Sequence, residues 1–140
     1  MLIHYKHLTD TSKSPTKAHN TDAGFDLYAN EKVVLNPLAT IGTGLAIKIP
    51  SGYVGLICSR SGLAARGIFV MNAPGIIDAG YTGEIKIILG TIGSMTVIEQ
   101  GDKIAQLLIQ PVHEVHLLRG DNMVWGLTER GDNGFGSSGY

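Results

Sequence analysis

Cysteine occurs once in the 140 residues, at Cys58, which rules out a disulfide framework within the chain and any paired-cysteine metal site. The expectation is a reducing, cytoplasmic setting, or a nuclear one were the source eukaryotic or viral. An excess of charge of either sign is also missing. The 11 Lys and Arg nearly balance the 12 Asp and Glu, for a formal net charge of -1, so nothing marks a nucleic-acid or membrane partner. Long hydrophobic runs are absent. The opening residues from Met1 to Leu8 carry too short an apolar run for a signal peptide, and no later stretch could span a bilayer. There is no internal repeat and no boundary that would mark a second domain, so 1–140 reads as one domain on length. A chain of this size buries roughly 68% of its surface on folding, enough for a core without covalent staples.

Glycine, in contrast, is plentiful. Its 19 copies are about twice the usual share and follow no period, so they serve turns, bulges and close backbone approaches. Between them lie short apolar segments. Val33 to Leu35, Ala39 to Ile49, Tyr53 to Cys58, Ile68 to Met71, Met95 to Ile98, Ile104 to Ile109 and Val112 to Leu118 are expected to be strands. Leu45, Ile47 and Ile49 alternate with Ala46 and Lys48, and Ile85, Ile87 and Leu89 share a face. A brief helix is credible only over Ser59 to Gly67, with Gly67 closing it. Many short strands, regular turns and almost no helix predict an all-β sandwich or barrel. Beyond Trp125 the apolar pattern stops, and about 126–140 reads as an arm that cannot build a core of its own.

The stretch from Asn72 to Leu89 organises the rest. Turn residues come first, Ile76 and Ile77 are expected in the core, a second turn runs from Ala79 to Gly83, and an apolar strand follows. As a hairpin it would carry the carboxylate of Asp78 and the ring of Tyr81 at its tip, brought to one cleft by the turn through Gly80. Other segments suit phosphate. Ser59, Arg60, Ser61 and Gly62 place a guanidinium beside hydroxyls and backbone amides at a helix start, although a serine N-cap beside a solvated arginine explains the same residues. Gln106 lies among apolar neighbours, either as a satisfied amide or as a ligand donor. From Arg130 on, the terminal segment offers that guanidinium, two serine hydroxyls and four glycines, a composition that forms anion-binding nests, and Phe135 could stack on a base. Asp26, between Phe25 and Leu27, reads as an outward, solvated charge on a strand. The five histidines have no supported ligand spacing, and His113 and His116 are expected to straddle a strand.

Taken together these segments strongly resemble the homotrimeric dUTP pyrophosphatases, or dUTPases. All five motifs of that family occur in order: Ala23 to Ala29, Arg60 to Leu63, Asn72 to Glu84, Gly101 to Leu107 and Arg130 to Gly139. The chain departs from the family pattern at three places. Ser59 stands where a proline usually precedes the Arg-Ser pair, Gly80 where a second acidic residue often precedes the tyrosine, and Asn133 at a glycine position. The resemblance implies a jelly-roll-like subunit in a homotrimer with three active sites at subunit interfaces, hydrolysing dUTP to dUMP and pyrophosphate.

It also implies roles. Asn72, Gly75 and Ile77, with backbone groups, would read the uracil edge, where the wrong base leaves buried groups unpaired. Tyr81 would pack under the deoxyribose and exclude a 2′-hydroxyl. Asp78 would deprotonate a water attacking the α-phosphorus, since a carboxylate is ordinarily ionised at neutral pH and general-base help is worth about 10² to 10⁴ in rate. Arg60, Ser61, Gly62 and Gln106 would clamp phosphate oxygens. Mg²⁺ would sit mainly on the triphosphate, with Asp26 holding its water shell, because magnesium keeps several waters. Arg130, Phe135, Gly136, Ser137 and Ser138 would arrive as a lid closing over the nucleotide. Related dCTP deaminases share the central turn but place a catalytic Glu five residues beyond its last glycine, where this chain has Ile88. A second alternative is a regulatory protein-binding module, since some dUTPases also bind a regulatory protein partner.

Overall fold

The computed structural model describes residues 1–124, 126 and 128–134. Within them the chain forms eleven strands and one short helix: β1 (His4–His7), β2 (Phe25–Tyr28), β3 (Val33–Leu35), β4 (Leu38–Gly42), β5 (Leu45–Lys48), β6 (Tyr53–Cys58), α1 (Ser61–Ala64), β7 (Ile68–Val70), β8 (Gly75–Ile77), β9 (Lys86–Thr91), β10 (Thr96–Ile98) and β11 (Lys103–Pro111). Every ladder is antiparallel. One sheet runs β2-β11-β6-β8 and a second β4-β9-β7, and the pairs β1-β5 and β10-β3 complete an all-β, jelly-roll-like subunit.

Alternation along the strands builds the core. Ile85, Ile87 and Leu89 are essentially inaccessible, as their spacing predicts, and they join Leu27, Leu45, Ile57 and Leu107 in one buried cluster that draws on both larger sheets. Strands β6 and β7 and the brief helix fall where the apolar runs and glycines place them. Gly67 adopts a left-handed φ of 76° just past α1, the conformation that ends a helix at lowest cost.

Several expectations are corrected. The run from Ala39 to Ile49 is two strands, because a turn through Gly44 separates β4 from β5. Ala46 is also buried, so only Lys48 breaks the apolar surface of β5. Residues Val112 to Leu118 form no strand: after β11 ends at Pro111 the chain finds no ladder partner, and Val115, Leu117 and Leu118 are 69%, 94% and 90% exposed. His113 and His116 therefore straddle nothing. The strand β1 was not legible, because all four of its residues are exposed and it carries no core-facing alternation.

The largest correction concerns the central stretch. Strand β8 pairs with β6, whereas β9 pairs with β4 and β7. Residues 75–91 are thus a crossing between two sheets rather than a self-paired hairpin. Ile76, expected in the core, is 57% exposed, while Gly75 beside it is buried. The crossing has a functional consequence, since residues 78–85 are held at both ends by different sheets.

Candidate active site

Asn72, Gly75, Ile77, Asp78 and Tyr81 line one cavity of about 250 Å³, together with Ile57, Glu84 and Lys86. Ile57 is the contribution of strand β6 to its wall. A Cβ on Gly75 would lie 3.3 Å from both Asn72 Nδ2 and Ile57 Cβ, so the absent side chain lets the Asn72 amide fold down over the strand. The Tyr81 amide donates to the Asp78 carbonyl oxygen at 3.0 Å, closing the turn. The phenol donates to the Glu84 carbonyl oxygen at 2.8 Å, which holds the ring at the cavity edge and not in the core.

The cavity holds two carboxylates with different occupations. Glu84 Oε1 accepts from the Gly44 amide at 2.9 Å, and Lys86 Nζ stands 3.8 Å from Oε2. Glu84 therefore fastens the turn to the β4-β5 connection, a task not evident from its place at the end of a motif. Asp78 is exposed to the cavity, and among the described residues no ion pair engages it. Of the two, Asp78 is the carboxylate free to accept a proton.

A second cavity, about 400 Å³, is lined by Asp22, Gly24, Asp26, Arg60, Ser61, Gly62 and Gln106. Arg60 occupies the N-cap position of α1 without a side-chain cap bond. Ser59 does not cap either: its hydroxyl accepts from the Val70 amide at 2.9 Å and ties the helix approach to β7. Gln106 Nε2 donates to the Ser59 carbonyl oxygen at 2.9 Å, which leaves its second N–H uncommitted. Gly24 leaves room for this amide, because a Cβ would come within 2.6 Å of Gln106 Oε1 and force the side chain to shift.

Asp26 is not a solvated charge. It is 16% exposed and pairs with Arg60 Nε at 2.9 Å and Lys103 Nζ at 2.7 Å. Lys103 is a further member of this charged cluster that the sequence did not single out. Its ammonium holds its proton above the ordinary lysine range, first through the hydrogen bond to Asp26 and then through that carboxylate's charge.

The two cavities share no lining residue. Arg130 lines neither; its Nε donates to the Asn133 carbonyl oxygen at 3.3 Å within its own turn. Phe135, Gly136, Ser137 and Ser138 lie outside the described residues. Among those described, no three His, Cys, Asp or Glu side chains cluster as a metal cage. With a cation already on each Asp26 oxygen, that carboxylate suits a hydrated metal better than a directly bound one.

A free carboxylate in one cavity, with guanidinium, hydroxyl and amide donors in another, has the parts of a hydrolase acting on a phosphorylated substrate. The family described as dUTPase matches residues 10–139. A deoxyuridine 5'-triphosphate nucleotidohydrolase of Mycobacterium marinum is 49% identical over 133 residues, covering 89% of this chain and 86% of that relative. A mutant dUTPase of Staphylococcus bacteriophage 80alpha, solved with dUpNHpp, superposes with a TM-score of 0.87 at 33% identity over 99% of each chain. A mutant dUTPase from phage phi11 of S. aureus, described as coordinating a structural Mg(II) ion, superposes at 0.77 with 30% identity, covering 87% of this chain and 98% of that one. The chain belongs to the dUTPase family.

Proposed function

We propose that the chain is a dUTP diphosphatase, cleaving dUTP to dUMP and pyrophosphate. The single observation that carries this reading for the chain's own residues is the unpaired Asp78 carboxylate in a cavity with Asn72 and Tyr81. The base would enter beside Asn72, Gly75 and Ile77, and the deoxyribose would lie against the Tyr81 ring. Asp78 would take a proton from a water aimed at the α-phosphorus. The attack breaks the bond to the bridging oxygen, and the pyrophosphate departs carrying that electron pair. Arg60, Ser61, Gly62 and Gln106 would bind the phosphate chain, and charge stabilisation there would supply what general-base help alone does not.

The separateness of the two cavities favours a site assembled between copies, with the Asp78 cavity of one subunit facing the Arg60 cavity of the next. The homotrimer is a property of the family. Ile76, Leu117, Leu118 and Val124 are exposed on the single chain, and such side chains would be available to a neighbouring copy. Arg130, with Phe135, Gly136, Ser137 and Ser138, would close over the bound nucleotide. Mg²⁺ on the triphosphate would neutralise phosphate charge, and Asp26 would reach its water shell. A lone cysteine fits a cytoplasmic location.

Incubation with dUTP, dCTP, dTTP and UTP in Mg²⁺, with separate detection of pyrophosphate, phosphate and ammonia, tests the reading. Pyrophosphate from dUTP alone is expected. Ammonia from dCTP, or no turnover of any nucleotide, would overturn it.

A further inference from the structure

The partners of Asp26 point to a residue with a task beyond those above. In the β2-β11 ladder Gln106 stands opposite Asp26 and Lys103 opposite Tyr28, with a register shift between Lys103 and Ala105. Strict alternation from Gln106 would put residue 104 on the Asp26 face and residue 103 on the opposite one. The bulge instead leaves Ile104 and Ala105 both buried, at 1% and 0% exposure, and turns Lys103 onto the side of the sheet that carries Asp26. Its ammonium then caps Oδ2 at 2.7 Å, while Oδ1 receives Arg60 Nε at 2.9 Å.

This arrangement decides how Arg60 is held. Guanidinium and carboxylate favour a two-pronged fork, in which Nε and one terminal nitrogen bind both oxygens. With the Lys103 ammonium seated against Oδ2, Arg60 holds Asp26 by one prong, through Oδ1 alone. Its Nη1 donates to the Lys103 carbonyl oxygen at 3.2 Å, and among the described residues Nη2 has no acceptor. We propose that Lys103 is a positioning residue: its ammonium, seated against Oδ2 of Asp26, repels a second prong of the Arg60 guanidinium and so disfavours the bidentate pairing that would withdraw Arg60 from the cavity. The inference rests on the reading that this cavity takes the phosphate chain.

The test measures the dissociation constants of an α,β-imido analogue of dUTP and of deoxyuridine for the full chain. Lys103→Met is expected to weaken the analogue about tenfold and leave deoxyuridine unchanged, which also shows that the variant is folded. Lys103→Arg should restore the analogue. With Asp26→Asn already present, no fork can form, and removing Lys103 should cost at most about twofold. An unchanged analogue affinity, an equal loss in the Asp26→Asn background, or a parallel loss of deoxyuridine binding would each overturn the assignment. Should Arg60→Gln leave the analogue's affinity intact, the underlying reading of the cavity fails instead.

Discussion

The Tyr81 hydroxyl donates to the Glu84 carbonyl oxygen at 2.8 Å, binding the ring to the far end of its own turn. A Cβ on Gly83 would lie 2.6 Å from that hydroxyl oxygen and 2.8 Å from the ring carbon bearing it. Gly83→Ala should therefore displace the ring without disturbing the sheets. The expected result is a fall of about tenfold or more in kcat/KM for dUTP and a weaker preference for dUTP over UTP, as for Tyr81→Ala. An unchanged preference in both variants would count against Tyr81 as the sugar-discriminating group.

Gly24 bears on Gln106 in the same way. Gly24→Ala must push the Gln106 amide aside, costing its bond to the Ser59 carbonyl oxygen and its aim into the second cavity. A hydrogen bond from the displaced amide to substrate is worth about 0.5–1.5 kcal/mol, so KM for dUTP should rise by up to roughly tenfold, while loss of the Ser59 bond lowers the melting temperature by about a few degrees. Steady-state kinetics beside a thermal melt would separate this from general destabilisation.

A chain ending before Arg130 should keep its circular dichroism spectrum and its oligomeric state, because among the described residues Arg130 bonds only within its own turn. Hydrolysis should nevertheless fall severely, since the groups proposed to cover the nucleotide are gone. Full activity in the truncated protein would remove the arm from the account.

Leu89 is fully buried on β9, in a ladder with both β4 and β7. Leu89→Ala should destabilise the protein by about 2–5 kcal/mol, through lost burial and an unfilled cavity. Denaturant titration would show a lower midpoint with little change in slope.

Much of this fold was legible because burial follows local alternation. Ile85, Ile87 and Leu89 announce their face, and Tyr53 to Cys58 announces its strand. What alternation does not encode is the identity of the partner strand. The segment from Asn72 to Leu89 has the turn chemistry of a hairpin, yet β8 and β9 belong to different sheets, and only the three-dimensional arrangement decides that. The same limit explains Val112 to Leu118, whose apolar residues suit a strand but have no ladder among the described residues.

The candidate site divides similarly. Asp78 and Tyr81 were candidates from their residue types at one turn, and Asn72 through the family motif; the structure brings all three to one cavity. Asp26 was misread as solvated because its partners lie far along the chain, at Arg60 and Lys103. No local pattern reveals a bulge that turns Lys103 toward it.

The most direct test of the central claim is single-turnover hydrolysis of dUTP by Asp78→Asn, measured beside equilibrium binding of the α,β-imido analogue. The account predicts a rate lower by roughly 10² to 10⁴ with binding kept to within about threefold. Turnover near that of the unmodified chain would contradict it.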